Sequence, residues 1–383
     1  NGSKCYNNLY NNLYNDTPQN DVYLNYFFQR MVKRQASVSF FLISFVCLRV
    51  VVEGEVKFPA PPFNSIEVES IDTRSMDIFR AQSMKGKYLS SLRKLISAAE
   101  SRGGPRLRPS TISNIAIKIK TKHAPGLQVS SLLVDALLNI LSKRGYQKDQ
   151  IFLVDRDELS LARAGFSSSR KIDNLYNGYQ VVSSRNQNYF NPIWLHDSPM
   201  PPTIHDRARF FLQYPQDRLM RIAEERKSYL PSILFLNDVF WINLSVAMDH
   251  LSLGIEGASA NMTTGAISNY QRFLNKPTLA PATVAEILAI PELWENRLYS
   301  IMDLSHYQFA NAGQFDAEFL GRESTLLLSE NPLSVDRAAL SVLNMQRKEL
   351  GFIERKANEL LLFQYAKELG LGDALKAETY DVQ

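Results

Sequence analysis

Cysteine is scarce in this chain, and its scarcity removes several kinds of chemistry. Among 383 residues the only cysteines are Cys5 and Cys47. Both precede residue 55, in a stretch that we predict is removed on export. The remaining chain is therefore expected to have no disulfide, thiolate metal site, cysteine nucleophile or iron–sulfur cluster, because each depends on cysteine sulfur. The sequence does not identify any other cofactor.

Common nucleotide and hydrolase motifs are absent as well. The chain has no GxGxxG, P-loop, GxSxG or HExxH sequence, so dinucleotide folds, serine hydrolases of that type and zinc proteases lack their usual markers. Charge is nearly balanced, with 43 Lys and Arg against 39 Asp and Glu. A net charge this small argues against a nucleic-acid partner and against a membrane-surface protein.

The N-terminal region is typical of an export signal that follows a leader. Residues 1–30 are rich in Asn and Tyr, have no structural period, and are interpreted as a non-native or disordered leader. Residues 31–54 then form the predicted signal peptide, with Met31 at its start, an apolar run at Ala36–Leu48 and a cut after Gly54. The run is shorter than the roughly 20 residues of a membrane span. We expect an exported protein, periplasmic or extracellular, with an uncleaved anchor or a cytosolic leader as alternatives.

The rest of the chain divides into three predicted parts. Residues 55–110 hold a Pro-rich entry, a helix over 75–101 and a basic Gly/Pro linker at 101–110. Residues 111–352 form the predicted α/β domain, and residues 353–383 form a C-terminal helix and tail.

A β-α-β pattern opens the predicted domain. Ile112–Lys120 alternates as a strand, residues 130–145 have helical spacing that ends at a glycine, and Gln150–Val154 reads as a second strand. Such a unit implies a right-handed parallel crossover. We predict a mostly parallel mixed sheet with helices on both faces, plus a helical N-terminal extension. Further strands are expected at 178–183, 232–246, 297–304 and 324–329, helices at 281–294, 334–350 and 353–369, and a loop at 186–203.

Charged residues follow the first two predicted strands. Lys118, Lys120 and Lys122 alternate with isoleucines and leave one face of the first strand, which must then meet either water or an anion. Asp155 and Arg156 end the next strand at the same edge, where parallel sheets bind ligands. A simple ion pair is the alternative for these groups.

The segment Phe240–Gly265 carries an acid and an imidazole at the mouth of a glycine-bearing loop. Asp249 and His250 end an apolar run, and the loop follows directly. A carboxylate near an imidazole suits a general acid/base pair or half of a metal site. Adjacent strand residues point to opposite faces, however, so the two need not cooperate. A structural histidine that caps the loop is the alternative.

Three segments together carry a family resemblance. They are IAIKIKTKHAPGLQVSSLLVDALLNILSKRGYQKDQIFLVDRDELSLARAGF, INLSVAMDHLSLGIEGASAN and STLLLSENPLSVDRAALSVLNMQRKELGF, in the order of the chain. Over roughly residues 110–352 they resemble the uncharacterised family called domain of unknown function 362. The sequence departs from the family at Lys120, where many members have Asn, and at Met248 and Ala260, where many have Lys. Some relatives carry ferredoxin-type cluster domains, and this chain lacks their cysteines.

The resemblance selects one set of positions for a site. The implied residues are Lys118, Asp155, Arg156, Asn261, Asp249, His250, Asp303 and Asp336. From its position at the start of a helix, Asp336 is first of all a favourable partner of that helix's dipole.

We therefore expect a small-molecule site at the strand ends. Asp249 and His250 are the candidate catalytic residues, which would handle a proton or a metal. The candidate ligand-binding residues are Lys118, Lys120, Asp155, Arg156, Asn261, Asp303 and Asp336. The hypothesis is an exported α/β protein that binds a small anionic ligand, with or without acid/base chemistry. The alternative is a non-catalytic binding or scaffold protein of the cell envelope.

Overall fold

A computed structural model describes residues 76–83, 87–167, 174–186, 188–198, 208, 211–273 and 276–382. All of these fall within one unit, Val68–Gln383. The predicted leader (1–30) and the predicted signal peptide (31–54) lie outside the described residues. No helix in the described part of the chain is both long and apolar enough to cross a bilayer.

Alternating and apolar runs in the described residues form one mixed sheet of 11 strands and a separate two-stranded sheet. The strands are β1 (Ile78–Gln82), β2 (Asn114–Ile119), β3 (Ile151–Val154), β4 (Leu175–Tyr176), β5 (Tyr179–Val182), β6 (Phe190–Asp197), β7 (Lys227–Pro231), β8 (Val239–His250), β9 (Gly254–Glu256), β10 (Arg297–Gln308), β11 (Leu320–Gly321), β12 (Thr325–Ser329) and β13 (Thr379–Asp381). The sheet order is β13-β1-β12-β10-β8-β2-β3-β5-β4, with β9 beside β8 and β11 beside β10. Strands β6 and β7 pair antiparallel in the two-stranded sheet.

The centre of the sheet is parallel, as predicted. Strands β10, β8, β2, β3 and β5 lie side by side and run in the same direction. Strand β12 is antiparallel to its neighbours, and the short strands β4, β9 and β11 turn back as well. Because the central strands share a direction, their carboxyl ends share one edge.

Helices cover both faces of the sheet, which confirms the predicted fold class. They are α1 (Tyr88–Ser101), α2 (Ser131–Lys143), α3 (Glu158–Arg163), α4 (Arg218–Arg226), α5 (Ala258–Met262), α6 (Leu279–Leu288), α7 (Pro291–Glu295), α8 (Pro332–Glu349) and α9 (Leu361–Glu368). One apolar core joins α1, α2 and α3 to the isoleucines of β2. The other joins α5 to α9 to the opposite face, where Ala116 points.

Three segments differ from the sequence-based expectation. The predicted helix over 75–101 begins only at Tyr88, and Ile78–Gln82 instead forms β1. The predicted loop at 186–203 contains strand β6. The helix expected over 353–369 begins at Leu361. The two new strands each have a partner distant in sequence: β1 pairs with β12 and β13, and β6 pairs with β7.

The linker at 101–110 connects elements of the same sheet. Strand β1 precedes it and β2 follows it, and both belong to the 11-stranded sheet. The predicted division between residues 110 and 111 thus falls between two strands of one sheet.

A row of buried polar side chains crosses the sheet from β2 to β12. Lys118, Asn243, Ser300 and Ser329 stand directly opposite one another in successive strands. All four are fully buried. Because buried polar groups need hydrogen-bond partners, Lys118 and Asn243 bind polar residues in the layer that covers this face of the sheet.

Candidate functional site

The carboxyl edge of the parallel strands gathers the predicted polar residues. Lys118 lies near the end of β2 and Lys120 follows the strand, while Asp155 follows β3 directly. Asn261 lies in α5, just beyond the turn that closes β8 and β9. Segments more than 130 positions apart thus meet at one place: the pair Lys118 and Asn261 is 143 residues apart in sequence.

Lys118 is the centre of a buried hydrogen-bond network. Its Nζ donates to Asp155 Oδ1 at 2.8 Å, to Asn261 Oδ1 at 2.9 Å and to the Ile119 carbonyl at 3.2 Å. Burial lowers the pKa of Lys118, and the adjacent Asp155 carboxylate opposes that effect. Three acceptors at this spacing satisfy an ammonium group completely.

Asp155 is equally well satisfied. Its Oδ2 accepts from the Thr121 N–H at 3.0 Å and from the Thr121 hydroxyl at 2.5 Å. Its Oδ1 also accepts from the Arg156 N–H at 2.7 Å. The carboxylate therefore joins the ends of β2 and β3, and its oxygens are occupied by protein donors.

Lys120 is buried too, although the sequence left open whether its face met water or an anion. Its Nζ donates to the carbonyls of Val246 and Glu256 at 3.2 and 2.5 Å. The Glu256 carboxylate lies 3.5 Å from it and 2.9 Å from Lys122 Nζ. The anion that this lysine face meets is thus a carboxylate of the protein itself.

Glu256 was missed by the sequence reasoning. Burial alone would raise the pKa of Glu256, but Lys120 and Lys122 hold it well below its ordinary value. Strand β9 returns antiparallel to β8 and brings Glu256 opposite Met248. The signal that could have found it is Gly254, which has a φ of +79° at the turn into β9. Such a φ favours glycine.

Asp249 and His250 do not form a pair. Arg355 binds the Asp249 carboxylate with two contacts, at 2.5 and 3.1 Å, and Arg347 lies 3.2 Å from it. The His250 ring instead faces its own turn, where Nδ1 accepts from the N–H groups of Ser252 and Leu253 at 3.2 and 3.1 Å. Their opposite orientation follows from strand alternation. A shared acid/base function for this pair has no geometric support.

His250 is neutral at pH 7. Burial lowers the pKa of His250 to about 4. Because Nδ1 accepts two backbone hydrogen bonds, the ring proton is assigned to Nε2. This arrangement matches the alternative in which the histidine caps the loop.

Asp336 caps a different helix from the one predicted. It lies in the second turn of α8, and its carboxylate accepts from the N–H groups of Ala258 and Ser259, at 2.5 and 2.9 Å, and from the Ser259 hydroxyl. The carboxylate therefore holds the first turn of α5 rather than the start of its own helix. Burial raises the pKa of Asp336 to about 6.

Asn261 links α5 to the sheet. Its Nδ2 donates to Asn243 Oδ1 at 2.7 Å and to the Leu244 carbonyl at 3.2 Å. Asp303, by contrast, accepts from the Tyr88 hydroxyl at 2.7 Å, on the face covered by α1. Asp303 therefore does not join the cluster.

Arg156 reaches over the edge of the sheet. Its guanidinium donates to the carbonyls of Thr264 and Ile267 at 3.1 and 3.0 Å and lies 3.7 Å from the Tyr270 ring centre. Lys122 Nζ is 5.7 Å from the same ring centre. Tyr270 is a second residue that the sequence reasoning missed, since no spacing tied it to the strand ends.

A cleft of about 500 Å³ opens beside this cluster. Its charged lining consists of Lys120, Lys122, Arg156, Asp155, Asp157 and Glu256. Asn261 and Tyr270 also contribute, whereas His250, Asp303 and Asp336 are not among its lining residues. Three predicted ligand-binding residues, Lys118, Asp303 and Asp336, are therefore not part of the lining of this cleft.

The described residues offer no ready metal site. Within them, no group of three or more His, Cys, Asp and Glu side chains has an arrangement that could hold a metal ion. His123 comes closest to the cluster, with Nε2 3.9 Å from the Glu256 carboxylate. Burial lowers the pKa of His123 to about 4, so its ring is also neutral at pH 7.

Comparison with known proteins gives few matches. No family model matches the chain, and neither does any curated protein. A solved structure of a protein from Thermotoga maritima is 13% identical and superposes with a TM-score of 0.32. The match covers 61% of this chain and 54% of that one, so the chain spans about half the length of the Thermotoga protein it resembles.

Proposed function

We propose that the cleft binds a small anionic ligand through Lys122 and Arg156. The observation that carries the proposal is the placement of these two cations around Tyr270, on the wall of a cleft of about 500 Å³. The Arg156 guanidinium forms no ion pair with a carboxylate among the described residues. Lys122 keeps 22% of its side chain exposed. Both groups are therefore able to reach a ligand.

Lys118 and Lys120 have a supporting role in this proposal. Their ammonium groups are already bound by Asp155, Asn261 and Glu256. A ligand would have to displace these protein acceptors to reach them. The buried lysines therefore shape the edge of the cleft, and the ligand meets the outer pair of cations.

Binding is better supported than catalysis. His250 lies outside the cleft lining and Asp249 is held by two arginines. A neutral imidazole with a pKa of about 4 is a weak base at pH 7. Acid/base chemistry at Asp249 and His250 therefore forms no part of the proposal.

Titration calorimetry on the full chain tests the proposal, with lactate, malate and inorganic phosphate as probes. Lys122→Ala and Arg156→Ala should each weaken binding of the best probe by about tenfold, the loss expected for one charged contact. Lys356→Ala is the matched control, because Lys356 is 66% exposed and neither it nor its partner Glu359 lines the cleft. Absence of binding by every probe, or unchanged binding by both variants, would refute the proposal.

The alternative is a non-catalytic scaffold in which the polar groups serve only the fold. The internal satisfaction of Lys118 and Lys120 favours it. Under this alternative the Lys122 and Arg156 variants change thermal stability, and neither they nor the wild type give a binding signal with the three probes in calorimetry.

Family and location belong to the same proposal. The three motifs support membership of the domain of unknown function 362 family, and the segment 31–54 supports export. Expression of the full chain in a bacterium, followed by fractionation and N-terminal sequencing, tests the export signal. An N-terminus after Gly54 in the periplasm or medium is the expected result, and an intact leader in the cytosol would contradict it.

A further inference from the structure

The balance of charge around the cleft bears on the kind of ligand that it can bind. The inference rests on the proposed anion site and deepens it. Three cations line the cleft, Lys120, Lys122 and Arg156, against the carboxylates of Asp155, Asp157 and Glu256. Lys118 lies behind Asp155, 2.8 Å from it, and adds one positive charge. With each group in its ordinary charge state, these four cations exceed the three carboxylates by one charge.

Glu256 is the carboxylate that most directly offsets the positive charge of the cleft lysines. One of its carboxylate oxygens lies 2.9 Å from Lys122 and the other 3.5 Å from Lys120. The side chain is buried, so water screens these charges poorly. A ligand bound by Lys122 must therefore share that lysine with a fixed negative charge.

Neutral polar side chains on the cleft wall favour a ligand that has polar groups besides its charge. Ser184 and Gln271 are exposed on the cleft wall and offer a hydroxyl and an amide. Such groups bind hydroxyl or carbonyl oxygens of a ligand. Carboxylates with a neighbouring hydroxyl combine both features.

We propose that Glu256 is the specificity-determining residue of the cleft and makes it select small monoanions, such as hydroxy-monocarboxylates, over dianions. A first negative charge balances the cluster. A second would face Glu256 across the same lysine without a free cation to pair with, and like charges at this range repel. Without the negative charge of Glu256, the cluster can balance two negative charges on a ligand.

The test compares L-lactate with L-malate, hydroxy acids of one and two charges at pH 7. Calorimetry on the full wild-type chain should show lactate binding more tightly. Glu256→Gln should raise the affinity for malate relative to lactate by about tenfold, as expected for loss of one charge a few ångströms away. Glu359→Gln is the control, because it removes the same charge from a side chain that is 63% exposed. It should leave the ratio unchanged.

Glu256→Gln leaves Lys120 without its carboxylate, a change that can impair folding. A second variant tests the inference without this change. Lys122→Gln removes a cation while Glu256 remains, so malate should lose more affinity than lactate. Tighter binding of malate than of lactate by the wild type would overturn the inference, as would an unchanged ratio in Lys122→Gln. These results leave the anion site standing. Absence of binding by both lactate and malate overturns the inference, and it removes the site as well when inorganic phosphate does not bind either.

Discussion

Lys118 and Asp155 form an ion pair of 2.8 Å whose side chains are only 0% and 7% exposed. Moving two charges out of water is costly, and their attraction offsets that cost only when the remaining hydrogen bonds are made. Here they are made, by Asn261 and Ile119 on one side and by Thr121 on the other. The pair is therefore sensitive to the loss of either member.

Asp155→Asn should lower the free energy of unfolding by about 3–5 kcal/mol, because it leaves a buried ammonium without its counter-charge. Urea denaturation measures the change. Lys118→Met/Asp155→Asn should cost less than the sum of the single changes, since no unpaired charge then remains. Asp381→Asn is the control: its partner Arg80 is 47% exposed and Asp381 is 64% exposed, so a loss below about 1 kcal/mol is expected. Equal losses at the two sites would contradict this account.

His250 should make stability fall as the pH is lowered. The pKa of its imidazole is about 4 in the folded chain, whereas the ordinary value for histidine, which applies to the unfolded chain, is 6.5. The unfolded chain therefore takes up the proton first, and stability is lost between pH 6.5 and 4. The loss from this group amounts to roughly 3 kcal/mol.

His250→Asn isolates that contribution. Asn Oδ1 replaces Nδ1 as the acceptor for Ser252 and Leu253 but does not titrate. Unfolding free energies of both proteins at pH 7 and pH 4 give the difference. Comparison with wild type is needed because His123 acts in the same direction, while Asp336, whose pKa is raised to about 6, adds stability as the pH falls below that value. Parallel pH profiles for the two proteins would show that His250 is not buried as described.

Gly257 is required for space rather than for backbone freedom. A Cβ at this position would lie 2.2 Å from Asp336 Oδ1 and 2.8 Å from Met302 Cε. Gly257→Ala should therefore displace the Asp336 carboxylate from α5 and cost about 1–3 kcal/mol. Thermal and urea unfolding measure the loss.

A double variant distinguishes this cause from a general effect of alanine. In an Asp336→Ala background the clash with the carboxylate is gone, so adding Gly257→Ala should cost less than it does in wild type. Strictly additive losses would show that the two residues do not compete for space.

The meeting of Lys118 and Asp155 was predictable because parallel strands end at one edge of a sheet. Asn261 lies in α5, and only the family resemblance selected it. The separation of Asp249 from His250 was predictable for a similarly local reason, since neighbours in a strand alternate. Burial of Lys120 was not. It depends on Glu256, which reaches the lysine only because β9 folds back on β8, and no local spacing encodes that return.

Strands β1 and β6 escaped prediction for the same kind of reason. The register that defines β1 comes from β12 and β13, more than 240 residues further along the chain. Strand β6 contains Pro192, which usually marks a loop, and its pairing with β7 is irregular between Phe190 and Leu195. The strand exists because a distant partner supplies its hydrogen bonds.

The polar row of Lys118, Asn243, Ser300 and Ser329 gives the sheet a means of alignment that apolar side chains lack. Leucines and isoleucines tolerate sliding past one another, but an ammonium group does not. If β2 slipped by a single position, Lys118 would turn into the apolar layer beneath α1 and α2, and an isoleucine would face Asn243. The same residues that give the edge its charge thus penalise misassembled sheets, and only the native alignment brings the cleft together.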